Sequence, residues 1–155
     1  MINSSFLYFS FGIEGFQCNS YDYKNSKIVL TIQKRRDKMC CPICQSKHIV
    51  RNGHVWRDFK TVPIGHTPVL LHTKIYRIKC KDCGCDLQEK IHFAHGKRTY
   101  TARLENLVLD LLKIATIKSV AEYLHLTWDT VKDIHKRRLK YRYGNPDIRG
   151  VKNIG

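Results

Sequence analysis

The chain has 155 residues, 43% of them apolar, and a formal charge of +15 from 28 Lys and Arg against 13 Asp and Glu. That apolar share excludes a disordered tail and supports a folded core, in one ordinary domain or two small modules. No apolar run approaches the roughly 20 residues that span a bilayer, and so basic a chain points to a polyanion, nucleic acid above all.

Residues 1–39 open on an aromatic-rich stretch without the positive start and small-residue cleavage site of a secretory signal, which predicts a cytoplasmic protein. Lys27–Gln33 places Ile28, Leu30 and Ile32 on one face at period two, the pattern of a strand. The whole segment reads as an N-terminal β segment packing on the module that follows. The run Lys34-Arg35-Arg36 reads as a solvated strand end.

Residues 40–92 hold six of the seven cysteines. Two strands are predicted here, about His54–Val62 and Val69–Lys79. Pro63 to Pro68, with two prolines and a glycine, forms the loop of their hairpin. Cys41-Pro42-Ile43-Cys44 and Cys80-Lys81-Asp82-Cys83 are two matched C-x-x-C knuckles. A two-residue gap lets both sulfurs of a knuckle turn to one point, and two knuckles complete the tetrahedral shell that zinc prefers. Four protein ligands leave no open position for water, so the expected zinc is structural. A redox pair is the competing reading of a C-x-x-C, but in a reducing compartment an odd set of cysteines speaks for metal. Cys40 and Cys85 could compete with Cys41 and Cys83, although only 41/44 and 80/83 keep the matched spacing. Cys18 reads as a small buried hydrophobe, and His48, His54 and His66 are possible further ligands that read as ordinary surface or hairpin histidines, because the four-thiolate shell is already full.

Residues 93–143 change to helical periodicity. Leu104, Leu107, Val108, Leu111 and Leu112 form one apolar stripe that Thr101 can cap, and two further helices follow, about Lys118–Leu124 and Trp128–Tyr141. Small Ala121 permits a close helix crossing, with Val120, Leu124, Leu126, Val131 and Ile134 as the shared core. Together these residues predict a three-helix helix-turn-helix module. His125 occupies the turn position usually taken by glycine and must adopt a left-handed backbone. Thr127 caps the second helix, which would present Trp128, Asp129, Lys132, Asp133 and Lys136 to a major groove. Arg137, Arg138, Lys140 and Arg142 extend the positive charge toward phosphates. The segments 40–92 and 93–143 carry formal charges of +5 and +6. The competing reading is a plain helix bundle with a solvated basic face. Gly144 and Pro146 end the helical region, and 144–155 reads as a linker.

The fold class expected is therefore α+β, a small β-rich four-Cys zinc-finger module followed by the helix-turn-helix. These pieces, in this order, resemble the ISL-three family of bacterial insertion-sequence transposases. The resemblance rests on Cys41-Pro42-Ile43-Cys44, Val62-Pro63-Ile64-Gly65, Arg77 to Gly84, Phe93-Ala94, Arg98-Thr99-Tyr100-Thr101 and the helix-turn-helix. It implies a chain that binds double-stranded DNA at the terminal inverted repeats of its element, in the bacterial cytoplasm at the nucleoid. A second copy or a full-length transposase would be its protein partner. In such families a ribonuclease-H-like catalytic domain with a DDE carboxylate set follows, and residues 148–155 resemble the approach to its first strand. The expectation is a fragment truncated before that domain, and hence no nuclease. A free-standing zinc and helix-turn-helix transcriptional regulator is the alternative. An RNA-binding zinc protein is disfavoured, because the sequence shows no aromatic stacking platform.

Overall fold

A computed structural model describes residues 3–144, so most of the expected linker, from residue 145 onward, lies outside the described residues. Among the described residues the fold is mixed α+β, with four α-helices and a five-stranded sheet. The chain divides within its second helix, after Leu107, into two compact units.

The first unit is built on the sheet. Helix α1 (Ser4–Phe11) leads into β1 (Phe16–Lys24) and β2 (Lys27–Lys34), then the long hairpin β3 (Ile49–Ile64) and β4 (Thr67–Cys80), and a short β5 (Asp86–Gln88). The segment expected as β throughout thus begins with a helix. Its N-cap is Asn3, whose side chain accepts the Phe6 N–H at 2.9 Å, and Gly12 ends it at φ 68°. The β1–β2 turn puts Asn25 and Ser26 at φ 50° and 58°, the left-handed pair that matches the twist of a tight hairpin.

Strand order is β1-β2-β4-β3, and β2 runs parallel to β4 with Leu30 opposite Leu71. That pairing joins residues 1–39 to the cysteine-bearing hairpin in one sheet. Period two puts Leu30 and Ile32 on the same face as Phe59, Val69, Leu71 and Ile75, all buried. Leu7, Phe11, Ile13, Phe16 and Phe93 complete this core, and removing each such side chain from water stabilises by about 1.5–3 kcal/mol. Strands β3 and β4 run further than the sequence predicts, and the loop between them shrinks to Gly65 and His66, with Gly65 at φ 59°. The prolines are tolerated because the pairing shifts between Thr61 and Ile64, where no ladder N–H is required of Pro63 or Pro68.

Helix α2 (Ala102–Leu111) starts where Thr101 Oγ1 accepts the Leu104 N–H at 3.3 Å, the cap read from sequence. In the second unit, α3 (Ile117–Tyr123) and α4 (Trp128–Tyr143) pack through Val120, Ala121, Leu124, Val131 and Ile134, each buried. Among the described residues no helix is long and apolar enough to cross a membrane.

Candidate metal centre and recognition helix

The hairpin brings the two knuckles together. Ile49 pairs with Cys80 at its open end, so Cys41 and Cys44 meet Cys80 and Cys83 there. Their four sulfurs lie within 4.8 Å of one another, with Cys41–Cys83 at 3.5 Å and Cys44–Cys80 at 3.6 Å. A tetrahedral zinc with bonds of about 2.3 Å needs sulfurs about 3.8 Å apart, so the donor set and its spacing both fit that metal. Backbone N–H groups of Ile43 and Cys44 donate to Cys41 Sγ at 3.4 and 3.5 Å. Burial opposes ionisation of Cys41. Those two amides, with the thiols of Cys85 and Cys83, outweigh it and hold Cys41 at about 6, ready to be a thiolate ligand.

Sequence reading did not anticipate the groups that link the knuckles. Ser46 Oγ donates to the Asp82 carboxylate, and His48 Nδ1 lies 3.2 Å from the other Asp82 oxygen. The Lys81 N–H donates to the His48 carbonyl at 2.9 Å, and the Cys80 N–H to the Cys85 carbonyl at 2.8 Å. The Ser46 hydrogen bond, then His48, lowers the Asp82 carboxyl below its ordinary value. His48 therefore engages a carboxylate beside the sulfur cluster. Cys40 Sγ lies 3.5 Å from Gln45 Oε1, and half-buried Cys18 donates to the Ser20 carbonyl at 3.2 Å.

The second unit carries the other expected site. Thr116 Oγ1 accepts the Ser119 N–H at 3.2 Å and Thr127 Oγ1 accepts the Thr130 N–H at 3.3 Å, so both helices are capped. His125 between them sits at φ 53°, the left-handed conformation the motif requires. Val131 and Ile134 bury one side of α4, and Trp128, Asp129, Lys132, Asp133 and Lys136 are exposed. Lys132 Nζ lies 4.6 Å from the Trp128 ring centre, a cation–π contact one turn along the helix. Arg138, Lys140 and Arg142 are exposed as expected, whereas Arg137 is half-buried.

Residues 37–83 match the family model described as the zinc-finger of transposase IS204/IS1001/IS1096/IS1165. Residues 89–139 match the model described as the helix-turn-helix domain of transposase family ISL3. A curated relative, the transposase for insertion sequence element IS1001 of Bordetella parapertussis, is 28% identical over 109 residues, 70% of this chain. The match spans about a quarter, 27%, of that relative's length. No solved structure matches the chain.

Proposed function

We propose that this chain, which belongs to transposase family ISL3 through its zinc finger and helix-turn-helix, binds double-stranded DNA at the terminal inverted repeats of an insertion sequence. The observation that carries the reading is the capped α3–α4 pair with its outward row Trp128, Lys132 and Lys136, spaced one helical turn apart. Such a row can follow base edges in a major groove, where Lys is suited to guanine, and Asp129 and Asp133 can accept from cytosine amino groups. Arg138, Lys140 and Arg142 supply phosphate contacts near the helix end, and Arg137 contributes from its half-buried position. Asp129 and Asp133 beside that row would disfavour purely non-specific attachment to a polyanion, so the face is suited to reading sequence.

Cys41, Cys44, Cys80 and Cys83 hold one structural zinc in this reading, all four as thiolates. Bound there, the metal would lock the open end of the β3–β4 hairpin, and the Ser46–Asp82–His48 link would keep the two knuckles at their spacing. The site is proposed to act at the bacterial nucleoid. Both matched modules serve binding, so strand cleavage and joining form no part of this proposal. Selection of bound duplexes from a random pool, at about 100 mM salt, tests the reading. Enrichment of one motif also present at both ends of an insertion sequence is expected. Recovery of unenriched DNA would reject it.

A further inference from the structure

The β3–β4 hairpin has a second face. His54 stands opposite Tyr76, Trp56 opposite Lys74 and Asp58 opposite His72. Period two sends these six side chains to the side away from Phe59, Leu71 and Ile75. Four of them are rings that touch in sequence: Tyr76 is buried against Met39 and Ile78, while His54, Trp56 and His72 reach the surface. The Trp56 and His72 rings stack at 4.2 Å with 9° between their planes, and Lys74 Nζ lies 4.9 Å from the Trp56 ring centre. His54 meets Trp56 edge-on at 6.1 Å and Tyr76 at 5.7 Å, while the Arg51 guanidinium lies 4.3 Å over the Tyr76 ring. Trp56 remains 46% exposed. Asp58, the carboxylate among the six, lies 2.6 Å from His72 Nδ1 and keeps one negative charge at the edge of the face, while Lys74 and Arg51, the latter also donating to Met39 Sδ at 3.3 Å, supply two positive ones.

We propose that this face is a second nucleic-acid contact, one that takes an unpaired DNA strand through stacking on the Trp56–His72 pair and through Lys74 and Arg51 on its phosphates. The inference rests on the DNA-binding reading above and adds a site that the recognition helix does not include. Exposed rings interleaved with cations are the surface a single strand requires, because every base offers a π-face and every step a phosphate. In a duplex those π-faces are already stacked on neighbouring bases, so the cluster favours unpaired nucleotides. The stacked rings select a nucleic-acid strand over an acidic protein, since flat rings with flanking cations suit bases joined by phosphates, whereas an acidic peptide offers the charge alone.

The test uses the full chain with zinc, titrated by fluorescence anisotropy into labelled oligothymidylate about 20 nucleotides long, at about 50 mM salt. The same titration is run on a duplex carrying the selected site and on oligouridylate. Trp56→Leu and Lys74→Gln are each expected to weaken oligothymidylate binding about tenfold and leave duplex binding within about twofold. Trp56→Phe should restore most of the loss. Lys132→Ala should do the reverse, weakening the duplex alone. If Trp56→Leu fails to fold, judged by circular dichroism and zinc content, Lys74→Gln carries the comparison. The proposal is overturned if the wild type does not bind oligothymidylate, if neither substitution weakens it, or if oligouridylate binds about tenfold better. Failure of the duplex arm alone would instead count against the recognition helix.

Discussion

Cys85 places its sulfur 3.2 Å from Cys41 Sγ, nearer than Cys83 at 3.5 Å, yet it stands outside the four sulfurs gathered within 4.8 Å. The hydrogen bond to Cys41, followed by burial, pushes the Cys85 thiol up to about 12, and Cys44 is raised to about 12 as well, so position and not acidity sets Cys85 apart from the proposed ligand set. Cys83→Ser is expected to lower the zinc content well below one per chain and to loosen the hairpin end, because metal binding contributes directly to folding. Cys85→Ser should keep its zinc. Elemental analysis of both variants decides, and the opposite pattern would exchange their roles. The matched spacing of the knuckles was readable in the sequence. The nearness of a fifth sulfur was not, because a C-x-C gap allows either cysteine to turn inward and only the folded hairpin places both.

A second residue-scale test concerns a buried pair the sequence did not reveal. Lys34, expected at a solvated strand end, lies buried with its ammonium 3.7 Å from Glu89 Oε2 and 3.4 Å from the Lys90 carbonyl. Burial raises the Glu89 carboxyl above its ordinary value, although Glu89 Oε1 accepts the Tyr76 N–H at 2.9 Å and Lys34 attracts it. Glu89→Ala should cost about 3–5 kcal/mol in urea unfolding, since it strands a buried cation. Lys34→Met with Glu89→Leu should cost far less, because no buried charge is then left alone. Equal losses from the single and double variants would contradict this.

Among the elements, the helix-turn-helix was the most legible, since its caps and its periodic core are local signals. Thr127, Val131 and Ile134 occupy the roles their spacing implies. His125, at φ 53°, pays a conformational cost that glycine avoids. His125→Val should destabilise the second unit by about 1–2 kcal/mol, while His125→Gly should be neutral or mildly stabilising. Thermal unfolding followed at 222 nm reads both, and an unaffected valine variant would show that the turn tolerates another conformation. Helix α1 was not legible. Ser4–Phe11 mixes three serines with five apolar or aromatic residues, with no clear 3.6-residue period, and its local signals reduce to Asn3 before it and Gly12 after it. The aromatic cluster of β3 and β4 was equally hidden, because Trp56 and His72 are 16 residues apart and meet only through strand register.

At the scale of the whole chain, the order of a cysteine hairpin followed by a helical module was readable, and so was the excess of positive charge in both. The sheet that joins residues 1–39 to the hairpin was not. Parallel pairing of β2 with β4 is a non-local contact, which leaves no mark on neighbouring residues beyond the alternation that any buried strand shows. The charge split explains how two sites could both engage nucleic acid, since each segment contributes its own cations to a salt-dependent affinity. Sequence discrimination must come from elsewhere, and the proposed function assigns it to α4. The most direct measurement is a titration of wild type and Lys132→Ala against a duplex ending in the element's inverted repeat and against a scrambled duplex, at several salt concentrations. Loss of roughly 1–3 kcal/mol on the repeat, with little change on the scrambled duplex, is the expected result. Equal losses on both duplexes would contradict the assignment of α4 as the recognition helix.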